Sequence, residues 1–472
     1  MITLLLVALP LLAAAICFFC KNSQKGPGFL LASVAILELV LAGICFELPE
    51  GSPWLTVCPK WLGFDILNGV VLLVTALLFL CVSLHTLRWM PAEIQYGEEG
   101  ETTKFSNFCA CLLAFLGTMM LVILAQNLGL LWVAVEATTL VSAPLIIFHR
   151  GSRSVEAMWK YLLICSVGIG FALFGTMLLA VASRETGAGL DLAGLMEQVA
   201  LIHPGWYKAA FVFVLVGYGT KMGLAPFHTW LPDAHSEAPG VVSALLSGAL
   251  LNCSFLGIIR VATLAPEGAV PFVSHALIAL GLVSLAVAAF FIAGQRDFKR
   301  MLAYSSVEHM GLLALFLGTG CLHWGFCHLV GHSLLKMTLF LLAGNFLLAC
   351  GTRQIPRLGG LLKSMPRTSF LWMIAVLMVC GMPPSPLFFT ELQLFLNVDL
   401  WLGITVAVLL FAVFAGMTYA VHRMVMGEPG TAAPTQEKAA VAEKLWVVPL
   451  VVVVASIFFG SVMIFCFMEG GR

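Results

Sequence analysis

Charge is what this chain of 472 residues has least of: Asp, Glu, Lys and Arg make up 10% of it, where soluble domains carry roughly 25%. With 61% hydrophobic residues, that shortage excludes a water-soluble enzyme with a single anchor and leaves a polytopic membrane protein. The 24 basic residues balance 24 acidic ones, so the basic surface that a nucleic-acid partner requires is missing. Cysteine is plentiful, yet paired metal-ligand spacing is absent: Cys165, Cys253 and Cys380 each stand alone in apolar runs, where cysteine behaves as a small hydrophobe. No iron–sulfur or flavin motif is present, histidines four apart at His328 and His332 are only a weak match to haem ligation, and no cofactor is expected in this chain. The first apolar run, from Ile2, lacks a charged leading region, which favours a retained transmembrane helix over a signal peptide.

What the chain does have is a series of apolar runs about 18 to 25 residues long, each enough to cross a bilayer. They predict about fourteen transmembrane helices, near 2–20, 28–48, 63–87, 107–126, 129–148, 158–182, 207–225, 241–264, 272–293, 301–320, 324–350, 368–397, 401–422 and 446–467. The gaps 88–106 and 423–445 read as polar loops. Most of the basic residues follow odd-numbered spans, Lys21, Lys104, Arg150, Lys299 and Arg300 among them, and few follow even-numbered ones, Arg260 and Arg472 among them. By the positive-inside rule both termini then face away from the cytoplasm. That division leaves two lysines, Lys221 and Lys336, for the membrane interior.

Both lie among residues that an apolar helix does not ordinarily carry. Lys221 stands five residues before Pro226 in GTKMGLAPFHTWLPDAHSEAP, a stretch that also holds His228. A lysine at membrane depth costs about 2.5 kcal/mol or more, and Pro226 must break the helix. Pro232 and Pro239 predict an irregular continuation. A charged group beside a broken helix is how transporters build ion sites; the plainer alternative is a lysine snorkelling to the headgroups. Glu136, within span five, has no cation one turn away, so any partner comes from another helix. A lysine brought beside it would favour the ionised acid, and its withdrawal would let the acid take a proton. In span eleven His328, His332 and Lys336 recur every four residues, on one helical face about 6 Å apart. Imidazole can pass a proton between its two nitrogens. Glu391 follows a second proline-broken helix, MPPSPLFFTE. Tyr304 and Glu308 share a face of span ten, with His309 adjacent. Glu38, alone in span two, fits a subunit contact, a local proton site or a hydrogen-bonded structural acid.

Spans four to eight and nine to thirteen form two blocks of five, each with its broken helix fourth. An odd number of spans inverts the second block relative to the first. The domains expected are an N-terminal three-helix segment (1–106), two half-channels (107–264 and 265–424), and a loop with the C-terminal helix (425–472).

The motifs VEATTL, KMGLAPFHTWLPDAHSEAP, LAYSSVEHMG, HSLLKMTLFLLAGN and PPSPLFFTE resemble those of the antiporter-like subunits shared by complex I, Mrp antiporters and group 4 membrane-bound hydrogenases. WKYLLICSVGI and SSVEHMG are most similar to the hydrogenase-4 F subunit. The resemblance implies a proton-translocating inner-membrane subunit of a redox-driven complex, with other membrane subunits and peripheral redox subunits as partners. It further implies nickel–iron and iron–sulfur centres in those partners, and protons (or sodium ions) as the transported species. It assigns Glu136 and Lys221 to the family's glutamate–lysine pair, Lys336 to the central lysine, His328, His332 and Glu308 to the relay, and Glu391 to the terminal acid. Asn252 departs from the lysine that complex I versions commonly carry in span eight; with His228 and Tyr304 it is a further relay candidate. The alternative is an Mrp-type sodium or potassium/proton antiporter without a redox partner.

Overall fold

The structure, a computed structural model, describes residues 1–19, 25–49, 52, 54–55, 58–96, 105–149 and 151–470. Lys21, Lys104, Arg150 and Arg472 lie outside the described residues. The described chain is helical, as its composition requires: without water in a bilayer, backbone groups must be satisfied within each segment. In order come α1 (Ile2–Phe19), α2 (Lys25–Glu47), α3 (Ile66–Tyr96), α4 (Phe105–Leu124), α5 (Leu128–Ile146), α6 (Ser152–Ala182), the short α7 (Leu192–Glu197) and α8 (Pro204–Met222). They are followed by α9 (Trp230–Glu237), α10 (Gly240–Ala262, with a π turn at Leu246–Leu250), α11 (Val270–Ile292), α12 (Phe298–Gly318) and α13 (Leu322–Cys350). The last are α14 (Pro366–Val379), α15 (Pro386–Asn397), α16 (Leu400–Met426), α17 (Gln436–Glu443) and α18 (Val447–Gly470).

Twelve of the described helices are long and apolar enough to cross a membrane. The other two expected spans coincide with the proline-broken segments, α8–α9 and α14–α15. Three sequence expectations change. Pro232 does not keep its surroundings irregular: it sits in the first turn of α9, where its missing N–H has no carbonyl to serve. The expected loop 88–106 is helical as far as Tyr96, because Trp89 and Met90 are buried and hold α3 past Pro91. The expected loop 423–445 contains α17, capped by Thr435.

The chain divides into two compact units. The first comprises residues 1–83, 103–230 and 249–279, the second residues 84–102, 231–248 and 280–472. In the first, α6 packs along α8, and α4 packs on α1 and α5. The α6–α8 seam is made by small residues. A Cβ on Gly217 would lie 2.5 Å from Ala172, and one on Gly175 would lie 2.8 Å from the Ala210 carbonyl oxygen. Such close backbone approach is what dispersion-driven helix association in lipid demands. In the second unit α13 is central, with α12, α14, α15, α17 and α18 around it. Gly331 lets α15 approach, since a Cβ there would meet Pro386 at 2.8 Å.

Candidate functional site

In the first unit the site forms at the end of α8. Gly223, at φ 86°, ends the helix, and its N–H and that of Leu224 both return to the Gly219 carbonyl at 2.9 Å. Pro226 prevents continuation. Lys221 lies in the last turn, fully buried. Its Nζ donates to Thr139 Oγ1 at 2.9 Å and to the Tyr161 hydroxyl at 2.6 Å. It lies 4.6 Å from the Tyr161 ring centroid and 6.0 Å from that of Trp230. Trp230 ties the far side of the break back to α8, giving its indole N–H to the Thr220 carbonyl at 2.8 Å. Tyr161 is in turn 2.6 Å from Ser142 Oγ. Burial of an ammonium is tolerable because hydroxyl oxygens and ring faces replace water; the snorkelling alternative is excluded.

Glu136 lies three residues before Thr139 on α5. Ser166 donates to its Oε1 at 2.7 Å, and its Oε2 is buried without a protein partner. Glu136 and Lys221 do not form an ion pair in this structure: Thr139, one turn on from the acid, and Tyr161 take the ammonium.

The second unit repeats the theme. Fully buried Lys336 on α13 donates to the Leu302 carbonyl at 3.0 Å and to Ser305 Oγ, both on α12. Glu308 is buried three residues beyond Ser305. The expected row on α13 is present and is joined by a residue of α12: His328 Nε2 lies 3.1 Å from His309 Nδ1, and the His309 and His332 rings are 5.1 Å apart. His328 Nδ1 lies 2.8 Å from Thr390 Oγ1, next to Glu391 on α15. Ser385 caps α15, accepting from the Leu387 N–H. Glu391 is buried, its carboxylate against Gly381 (φ 71°) in the break before α15, so close that a Cβ there would collide with Oε2. Both His332 nitrogens lack a protein partner.

Of the remaining candidates, His228 is buried in the α8–α9 connection and Asn252 is fully buried on α10. The Tyr304 ring stacks on Phe291 at 4.9 Å. Glu38 is fully buried with both oxygens unpartnered, which removes its reading as a contact with a neighbouring subunit. Two basic residues that the charge count assigns to the two sides of the membrane are instead inside the protein. Lys299 is fully buried, giving its ammonium to the Ser236 and Ala238 carbonyls. Arg260 is buried against the Val122 and Ile123 carbonyls at 3.1 and 2.5 Å. The exposed carbonyls that end α9 and α4 need donors, and these cations supply them. Sequence reasoning also missed Tyr161, Thr139, Ser142, Ser166, Ser305 and Thr390. Only Thr139 and Ser305 carried a signal, a hydroxyl three residues from a glutamate inside a motif already singled out.

Buried lysines beside broken or polar-lined helices in a many-span bundle define an antiporter-like membrane subunit. The sequence profile described as NADH:quinone oxidoreductase/Mrp antiporter, transmembrane region, matches residues 125–418, and the chain belongs to that family. It is 36% identical over 338 residues to a hydrogenase-4 component F homolog of Methylacidiphilum infernorum, covering 69% of this chain and 70% of that one. It is 30% identical over 348 residues to hydrogenase-4 component B of Escherichia coli, covering 70% of this chain but half of that longer protein. The fold is shared with a chain of an archaeal membrane-bound sulfane sulfur reductase: TM-score 0.81, 22% identity, 97% of this chain and 95% of that one.

Proposed function

We propose that this subunit translocates protons across a prokaryotic inner membrane, driven by electron transfer in partner subunits that carry the nickel–iron and iron–sulfur centres. The hydrogenase-4 relatives favour that reading over an Mrp-type antiporter without a redox partner. The observation that carries it is that Lys221 and Lys336 each give their ammonium to a hydroxyl, Thr139 and Ser305, on a helix bearing a glutamate one turn away, Glu136 and Glu308. In the second unit His332, His309 and His328 follow the lysine, and His328 reaches Thr390, the residue before Glu391.

Such groups can exchange protons without bulk water. In the first half-channel (107–264) Glu136 would load and Lys221 would answer by shifting between its hydroxyl partners and the acid. In the second (265–424) Lys336, Glu308, His332, His309 and His328 would pass charge to Glu391, with His228, Asn252 and Tyr304 available for the link between halves. Moving one proton against 100 mV costs about 2.3 kcal/mol, a change of about fiftyfold in proton affinity. Both termini would lie on the non-cytoplasmic side. Lys221→Met and Glu391→Gln should each abolish proton translocation while the complex still assembles and transfers electrons. Undiminished translocation in both variants, or sodium transport without electron transfer, would reject the assignment.

A further inference from the structure

Within the first unit, away from Lys221, a cavity of about 460 Å³ opens among four helices: the start of α3, the end of α4, the short α7 and the end of α10. Its size falls in the range of about 300–1,000 Å³ that holds small ligands. Its frame is stitched together. Gly63 N–H donates to the Leu124 carbonyl, Gln126 N–H to that of Trp61 and Leu192 N–H to that of Gln126, each at 2.8–2.9 Å. A Cβ on Gly63 would lie 2.7 Å from Gln126 Cγ, so glycine there lets the Gln126 side chain lie across the frame.

The lining is mostly apolar, Phe64, Leu256 and Ile259 included, with the polar Gln126 and Thr263 and two charges of opposite sign, Asp65 and Arg260. They do not pair with each other. Arg260 spends two of its N–H groups on the α4 carbonyls, and a guanidinium has five. Asp65 accepts from the Asn68 N–H at 2.8 Å and, at the longer 3.3 Å, from Gln126 Nε2, leaving lone pairs unused. A cation and an anion held apart in an apolar cup suit a ligand that carries both signs. At the mouth, Ile66 and Met196 are more than half exposed, as is Trp61 beside it. Tryptophan at helix ends marks the headgroup level of a bilayer.

We propose that this cavity binds the headgroup of a phospholipid with a primary ammonium: the phosphate on Arg260, the ammonium on Asp65, the acyl chains leaving over Ile66 and Met196. An anionic headgroup would set a second negative charge beside Asp65, and a choline headgroup has no N–H to give it.

The assembled complex would be placed in nanodiscs of equal phosphatidylethanolamine, phosphatidylcholine and phosphatidylglycerol, stripped with detergent, and its retained lipids identified by native mass spectrometry. Phosphatidylethanolamine should be retained about tenfold over phosphatidylcholine, the worth of one charge-assisted hydrogen bond. Arg260→Leu also uncaps α4, so the decisive variants are Ala193→Trp, which blocks the mouth without touching either charge, and Asp65→Asn, which keeps an acceptor for Asn68. The preference should vanish in both. Its persistence in either variant, or equal retention of the three lipids, would overturn the proposal.

Discussion

Tyr161→Phe isolates the contact that most distinguishes the first lysine centre. The substitution removes one oxygen, the acceptor 2.6 Å from Lys221 Nζ, and keeps the ring whose centroid lies 4.6 Å away. Folding should tolerate it, because Ser142 Oγ retains the Thr138 carbonyl at 2.6 Å and Lys221 retains Thr139. A hydrogen bond to a charged group contributes about 1.5–3 kcal/mol, so its loss weakens the hold on the ammonium about 10- to 150-fold. The sign follows: a lysine held less firmly is placed less well to take and pass on a proton, so translocation falls. The assay is internal acidification of proteoliposomes holding the assembled complex, recorded together with the electron-transfer rate across a pH series. Tyr161→Leu, which also removes the cation–π contact, should lose about 0.5–2 kcal/mol more. An unchanged ratio of protons to electrons in Tyr161→Phe would refute the reasoning, provided Lys221→Met is inactive in the same assay.

Gly381→Ala should act on Glu391 without altering its chemistry. The added methyl collides with the carboxylate, and an L residue at φ 71° is strained by about 1–2 kcal/mol. Coupled translocation should drop while electron transfer persists, and wild-type coupling would show that the position of Glu391 is immaterial. Lys299→Met should be a stability variant: it leaves the Ala238 carbonyl without its charged donor, while the Ser236 carbonyl keeps the Arg353 guanidinium, a loss of about 1–3 kcal/mol. A melting temperature of the purified complex equal to wild type would contradict that role.

The parts of this protein legible in its sequence are those governed by one-dimensional rules. Span length and hydropathy locate helices because the bilayer imposes a thickness, and Pro226 and the 383–386 prolines locate the breaks because a missing N–H acts locally. The His328–His332–Lys336 row was legible because polar groups every four residues in an apolar helix must share a face. Lys299 and Arg260 were misplaced for a related reason. Distance from a span edge stood in for exposure, whereas burial was decided by α9 and the end of α4 folding over them. Tyr161 and Thr139 were harder still. A hydroxyl in an apolar helix barely changes hydropathy, and which of Thr138, Thr139 and Ser142 meets an ammonium depends on the packing of α5, α6 and α8. The glycines of the α6–α8 seam supply that packing, since Gly168 leaves space for Thr220, the residue before Lys221: a Cβ there would lie 2.7 Å from it. The lysine is therefore held in register by residues that carry no chemistry, and a charge-centred reading of sequence passes over them.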